Sequence, residues 1–416
     1  MKQTLTALIL FCNTLILFPQ VILTIEGQEI IDTETGTSAG YNISRNQVTT
    51  LTFRNNSLTS VNSAGYMLQA GDETPGLNNN HLDGEVITGN RFVWNGTDEE
   101  SWTHVIFTGY NNNVIIKYNY LHDPPNGIQR KSNGMTDLSG VVAYNIINNP
   151  KVGIVVKGMN GVRIFNNTLY CERTPAQTGR GLIDVHTNTD NGLNAPSTGA
   201  RIYNNIFYTK YETLCINVMD QASLAGFESD YNVFYCETGT PRFNAGGSYK
   251  TFSEWQALGY DQHSVVINPN FKNFTDFVPA ERLDYGTDLG ENYIEGLAVD
   301  AVWSNVNPRT AVQNDTWQVG ARIYEEQVII EEPLDSVTLL YPNPARDFFY
   351  VLNNNPEKIF STMKIYSAAG VVVLQQVLGR EINTVYLPGS FAAGLYNVVL
   401  EGDNLDSDLQ KLIIVD

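Results

Sequence analysis

Basic residues are scarce in this 416-residue chain: 25 Lys and Arg stand against 44 Asp and Glu, a formal charge of −19. A surface for polyanions needs a basic footprint, so general affinity for nucleic acid is excluded. Runs of Ala, Leu, Glu and Lys at helical spacing are missing as well, which argues against helical bundles and helical repeats. Cysteine is limited to Cys12, Cys171, Cys215 and Cys236, with no CxxC pair. The last three are odd in number and too widely spaced for a metal cluster, and they read as small buried residues rather than a disulfide framework. Charged side chains make up only 17% of the chain and hydrophobic ones 42%, so it buries a core and is not disordered.

What is present points to β structure. Asparagine is abundant, tyrosine numbers 22 and phenylalanine 18, and aromatic and β-branched residues favour strands. At the N-terminus Met1-Lys2-Gln3 precedes an apolar run from Leu5 to about Ile25, broken by Asn13, Pro19 and Gln20. One cation before such a run predicts a signal peptide over 1–25 and export. An uncleaved membrane anchor is the competing reading, since the run approaches spanning length.

The informative signal is a repeated phrase: an apolar alternating strand, an asparagine, one residue, then a large apolar residue. It recurs at Asn56, Asn90, Asn119, Asn145, Asn167, Asn205 and Asn232, with spacings of 34, 29, 26, 22, 38 and 27 residues. Self-similarity in this range marks units that stack on their neighbours. A constant strand–turn–strand element with variable loops and no helical period predicts β-helix coils; unrelated Asn-rich turns in a β-sandwich are the bland alternative. Asparagine suits the bend because it tolerates left-handed backbone angles, and stacked on adjacent coils its amides can form a ladder.

These residues resemble the pectate-lyase-like superfamily of right-handed parallel β-helices over residues 40–325, which implies an all-β solenoid domain at 26–325. The stretch from Ile267-Asn268-Pro269-Asn270-Phe271 through Leu283–Gly290 to Trp317-Gln318-Val319-Gly320-Ala321 is similar to the closing segment of bacterial extracellular members. It is expected to cap the open end of the solenoid, where strand edges would otherwise be bare.

After an acidic linker at 326–335 the chain changes character. Tyr341-Pro342-Asn343-Pro344, Lys364-Ile365-Tyr366, Leu387-Pro388, Gly394-Leu395-Tyr396 and Lys411-Leu412-Ile413-Ile414-Val415 follow in order. Short strands between Pro and Gly turns predict a small antiparallel β-sandwich at 336–416. The blocks resemble the C-terminal sorting domain of the type IX secretion system of Bacteroidetes. That resemblance implies the type IX secretion machinery as a partner and a secreted or cell-surface location; a carbohydrate-binding sandwich is the alternative.

A β-helix presents stacked columns along which an extended polymer can lie. Gly127-Ile128-Gln129-Arg130-Lys131-Ser132 aligns with Gly153-Ile154-Val155-Val156-Lys157-Gly158 and with Gly181-Leu182-Ile183-Asp184-Val185-His186. If Ile128, Ile154 and Leu182 point inward, Lys131 and Lys157 stack at about 4.8 Å. Two ammonium groups that close repel, which favours the neutral amine a base needs. The pair resembles the site of the β-helix polysaccharide lyases that include alginate lyases and chondroitinase B. Lys131-Ser132 matches the base in its Lys-Ser context, whereas Lys157-Gly158 replaces the Arg of an Arg-His-Gly phrase, with no His following. The resemblance implies Lys131 as base and Lys157 as the group that neutralises a uronate carboxylate. Calcium is the metal such lyases imply, but no acidic cluster stands at matching positions and no metal ligands are assigned. Arg130, Arg180, Asp184 and His186 flank the column as candidate substrate contacts. His104, His122 and Asp123 lie on preceding loops, and Trp94, Trp102, Tyr110 and Tyr120 are candidates for stacking on sugar faces.

The expected function is that of a secreted, monomeric, carbohydrate-active enzyme whose partner is an extracellular polysaccharide. As a lyase it would abstract the C5 proton of a uronic acid and eliminate the 4-linked sugar. Glycoside hydrolysis on the same fold would need two carboxylates at a fixed separation, Asp184 with Asp123 or Asp137. A non-catalytic glycan-binding or adhesion protein is the third reading, and fold alone does not separate the three.

Overall fold

Short strands alternating apolar and polar residues, turned at one corner by a left-handed residue, build the coils of the first unit. The computed structural model describes residues 22–32, 41–43, 50–61, 65–71, 84–96, 103–111, 113–132, 140–178, 180–304, 306–325, 338–353, 359–379, 381–389, 391–402 and 407–415. Most of the expected leader (1–21) and the acidic linker lie outside these residues, while Ile22–Glu26 is a strand. The chain divides into two units, Met1–Glu326 and Gln327–Asp416.

Three parallel sheets run through the first unit. The first contains Ile22–Glu26, Thr50–Arg54, Val86–Thr88, Val114–Lys117, Gly140–Ala143, Arg163–Phe165, Arg201–Tyr203 and Glu228–Asp230 in chain order. The second follows each corner, as in Ser57–Ser60, Tyr120–His122, Thr168–Cys171 and Val233–Cys236. The third contains Tyr66–Gly71, His104–Gly109, Asn126–Lys131, Val152–Lys157, Ile183–His186, Leu214–Val218 and Arg242–Ala245. Each strand pairs with its equivalent one coil on, so like residues stack. Ile106, Ile128, Ile154, Ile183 and Ile216 form one inward column of the third sheet, all fully buried. Leu169, Phe207 and Phe234 do the same in the second. Cys171, Cys215 and Cys236 are free, buried thiols.

The seven repeat asparagines form one ladder. Each Oδ1 from Asn90 to Asn232 accepts the backbone N–H of the asparagine one coil earlier at 2.8–3.0 Å and its side-chain amide at 2.9–3.1 Å. Each Nδ2 also donates to a carbonyl of the preceding coil at 2.8–3.0 Å. Every amide is thus satisfied in a fully buried position, which a buried polar group requires. The left-handed residue is the one before each ladder asparagine, at Asn55, Gly89, Tyr118, Tyr144, Asn166, Asn204 and Tyr231, with φ between 50° and 66°. The backbone tolerance expected of the ladder residue therefore belongs to its predecessor, and three tyrosines adopt it despite their side chains.

The ladder ends on Asp261. Its carboxylate accepts Asn232 Nδ2 (2.8 Å), Ser264 Oγ (2.6 Å), Ser229 Oγ (2.7 Å) and Trp255 Nε1 (2.6 Å). Trp255, on the helix Phe252–Ala257, is fully buried against Phe243 and Phe227, so this helix covers the last coil. The stretch 267–325 does not cap that end as expected. It packs along the flank, over the left-handed corners: Tyr118 Oη donates to Glu295 O (2.8 Å), Tyr144 Oη to Tyr293 O (2.6 Å) and Asn166 Nδ2 to Gln318 O (2.8 Å). The tyrosines and asparagines at the corners leave ring edges and amides that a polar backbone can satisfy.

The second unit is a two-sheet antiparallel arrangement. One sheet holds Thr338–Tyr341, Phe348–Asn353 and Glu381–Tyr386; the other holds Val372–Val377, Thr362–Tyr366, Gly394–Glu401 and Asp408–Ile414. Phe349, Val351, Met363, Ile365, Val385, Val398 and Leu412 form its core.

Replacing Asn167 or Asn205 removes five side-chain hydrogen bonds and leaves its neighbours' groups bare. Asn167→Leu and Asn205→Leu are each expected to lower stability by roughly 1–3 kcal/mol in denaturant unfolding; an unchanged midpoint in both would remove the ladder's stabilising role.

Candidate functional site

The outer face of the third sheet gathers most of the residues singled out above. Lys131 pairs in register with Lys157, so the two lysines stack as expected. The third turn is offset by one residue from the sequence alignment: Ile183, not Leu182, pairs with Ile154, and His186 continues the lysine column.

Both ammonium groups are occupied by a residue the sequence reading missed. Asp190, on the short turn Asp190–Gly192, lies 2.9 Å from Lys131 Nζ and 2.7 and 2.8 Å from Lys157 Nζ. Burial pushes the Asp190 carboxyl up, but hydrogen bonds from Lys157 and Lys131 outweigh it and hold the group below the ordinary range. The lysine–lysine repulsion expected from spacing is therefore offset by a carboxylate between them. Lys131 itself is only 8% exposed, beside Phe107, with Nζ 5.8 Å from the ring centre.

Arg130 is not a substrate contact. It is fully buried in the inward column of Thr108, Val156 and Val185, where period-2 alternation from Ile128 places it. Its Nη1 donates to Thr108 Oγ1 (2.8 Å) and its Nη2 to Asn111 O (3.1 Å). Burial lowers its pKa to about 10, opposed by the nearby Glu85. Glu85, also fully buried, is pushed up to about 7 by burial, against the charge of Arg130 and a hydrogen bond from Asn111.

Asp184 is likewise sealed off. It is fully buried, ion-paired to Arg180 Nε, and accepts Gly181 N (2.9 Å) and Asn217 Nδ2 (2.7 Å); Asn217 Oδ1 in turn accepts Asn244 Nδ2 (2.7 Å). It orients Arg180. Arg180 also points Nη2 at His186 Nε2 (3.2 Å), and His186 Nδ1 sits 3.0 Å from Thr187 O. These partners assign the proton to Nδ1 and the lone pair to Nε2. Burial, then the charges of Arg180 and Lys157, lower the His186 pKa to about 4.

The remaining candidates lie elsewhere. His104 stacks on Tyr66 at 5.8 Å, in a column nearer the start of the strand. His122 and Asp123 are on the second sheet and its following corner, bonded to Asn148 and Asn149. Trp94 belongs to the main core, Tyr110 is buried, and Tyr120 packs on Trp303. Trp102 and Asp137 lie outside the described residues. Among the described residues no group of three or more His, Cys, Asp or Glu is placed to hold a metal ion.

Fold and strip together define a parallel β-solenoid with a short cationic column on one face, joined in one chain to a small sandwich. Residues 339–415 match the family described as secretion system C-terminal sorting domain. The second unit is thus a type IX sorting domain, and the protein is secreted or attached at the cell surface. A stretch of 85 residues, 20% of this chain, is 36% identical to Beta-agarase A of Zobellia galactanivorans. The match covers only 14% of that protein's length. No solved structure matches the chain.

Two outcomes follow from the buried groups. Arg130→Ala leaves Glu85 without its cation and is expected to cost about 3–5 kcal/mol in denaturant unfolding, with much of the loss recovered in the Arg130→Met, Glu85→Leu double variant. His186 stays neutral in the folded chain down to about pH 4, whereas its ordinary value is 6.5. It therefore favours folding above about pH 6.5 and loses that contribution as pH falls toward 4. NMR titration of the His186 ring should show its midpoint near pH 4, and a midpoint near 6.5 would contradict the half-buried ring set against Arg180.

Proposed function

We propose that this exported solenoid is carbohydrate-active and takes a uronate-bearing extracellular polysaccharide along the outer face of its third sheet. In the specific form of the reading it cleaves by β-elimination. The uronate carboxylate rests on Lys157, which stabilises charge as the C5 proton leaves. Lys131, released by Asp190 and acting as the free amine, accepts that proton, the C4–C5 double bond forms, and the C4–O bond breaks, its oxygen taking a proton from water as it departs. Arg180, held by Asp184, and His186 border the same column.

The supporting observation is the single carboxylate of Asp190 seated on both lysines. A pair that holds one carboxylate at hydrogen-bond distance from each amine has the spacing to hold another. For Lys131 to act as base, Asp190 has to release it when substrate arrives. Hydrolysis is the second reading, favoured by the stretch of similarity to Beta-agarase A; Asp184 does not supply an acid for it, being sealed beneath Arg180.

Uronate polymers and agar, offered to the purified protein, separate these readings. Elimination yields an unsaturated product that absorbs in the ultraviolet, hydrolysis yields reducing ends without that absorbance, and binding alone yields neither. On a confirmed uronate substrate Lys131→Met should lose about 10²–10⁴-fold in kcat with its circular dichroism unchanged. Lys157→Arg should retain activity, since a guanidinium holds a carboxylate bidentately, and Lys131→Arg should not. Full turnover by Lys131→Met would sink the base assignment.

A further inference from the structure

We infer that Asp190 is a resident internal ligand of the lysine pair, occupying the seat of a substrate carboxylate and setting how tightly that carboxylate binds. The inference rests on the reading of this face as a uronate site.

Three observations carry it. The first is exposure: the side chains of Lys131 and Lys157 are 9% and 18% exposed and that of Asp190 is 34% exposed, so the acid is the most accessible of the three. A carboxylate arriving from solvent has to displace Asp190 to take both amines.

The second is how the turn is held. Asn188 exchanges backbone hydrogen bonds with Ala195 at 2.7 and 3.1 Å, and Ser197 Oγ donates to His186 O at 2.8 Å, fixing the base of the loop. Between these anchors Thr189, Asn191, Gly192 and Asn194 are exposed, and Asn191 is left-handed at φ 54°. Among the described residues the Asp190 side chain ties this tip to the sheet, while its N–H on Asn188 Oδ1 (3.0 Å) and the Leu193 N–H on its carbonyl (3.1 Å) stay within the loop. Breaking two ion pairs frees the tip without disturbing the coil.

The third is charge. The chain as a whole is strongly acidic; among the described residues of this strip Lys131, Lys157 and Arg180 face Asp190 and Asp184, with Asp220 beside Thr187 and His186. Asp184 is committed to Arg180 at full burial, so among the described residues Asp190 is the carboxylate bonded to both lysines. Two ammonium groups at nearly buried positions favour an anion, and displacing Asp190 exchanges one carboxylate for another with little change in local charge. Uncharged sugars have nothing to offer in that exchange, so the device selects for carboxylate-bearing sugars.

An internal competitor reduces apparent affinity by the fraction of time the seat is empty. Titration calorimetry with D-glucuronate, and with uncharged D-glucose as control, tests this on the full chain. Asp190→Asn, which keeps side-chain size and the backbone bond to Asn188, should bind glucuronate at least ~10-fold more tightly than the unaltered protein, with glucose unaffected. Asp190→Ala should do the same, and unchanged circular dichroism in either variant shows that the fold is kept. Equal or weaker glucuronate binding in the folded variants would overturn the inference. Tighter glucuronate binding with no turnover of uronate polymers by the unaltered protein would leave the inference standing and remove the elimination reading. Elimination by the unaltered protein, with weakened glucuronate binding in Asp190→Asn, would leave that reading standing and overturn this one.

Discussion

The amide ladder from Asn56 to Asn232 is the constraint on which the rest of the solenoid depends. A parallel sheet by itself permits slippage, and a slip of one residue moves every side chain to the opposite face. Here each coil offers one Oδ1 that must receive both an N–H and an amide from the coil before it. Registers that miss this geometry bury unpaired polar groups at the corner. Once the corner is fixed, the third sheet inherits its alignment, and Lys131, Lys157 and His186 fall into one column. The site is a consequence of register held at the opposite side of the coil.

The sequence made the architecture legible because each coil repeats the ladder residue and a large apolar residue two positions on: one satisfies the corner and the other fills the core. It was less informative about what lies one step from that phrase. Gly181 looked equivalent to Gly127 and Gly153, yet the third turn pairs one residue later, so His186 and not Val185 joins the lysines. Arg130 was readable by the alternation that placed Lys131 outside, but charge was allowed to outweigh periodicity. Its burial with Thr108, Asn111 and Glu85 is a polar interior that no period announces. Asp190 lay beyond reach for a different reason. It comes from a loop whose position depends on Asn188 and Ser197 meeting the neighbouring coil, and loops carry no repeat.

The flanking stretch 267–325 illustrates the same division. Its Asn-Pro and Gly-bearing phrases pointed to a cap on the open end, whereas its place was set by partners elsewhere in the chain. Left-handed tyrosines at 118 and 144 put their hydroxyls on the flank, and those hydroxyls found backbone carbonyls at 295 and 293. The open end was left to Trp255, whose indole reaches Asp261.

Asp261 gives the solenoid a direction. Each ladder amide passes one N–H to the acceptor of the next coil, and the last one delivers its N–H to a carboxylate. A coil carrying its own asparagine can be inserted between any two existing rungs, since it accepts from one neighbour and donates to the other just as they did. A carboxylate at an internal rung would present an acceptor to the next acceptor and break the chain. Whole coils are therefore interchangeable units of growth or loss for this protein, whereas the terminator at 261 belongs at one end only, and coil number can drift while polarity stays fixed.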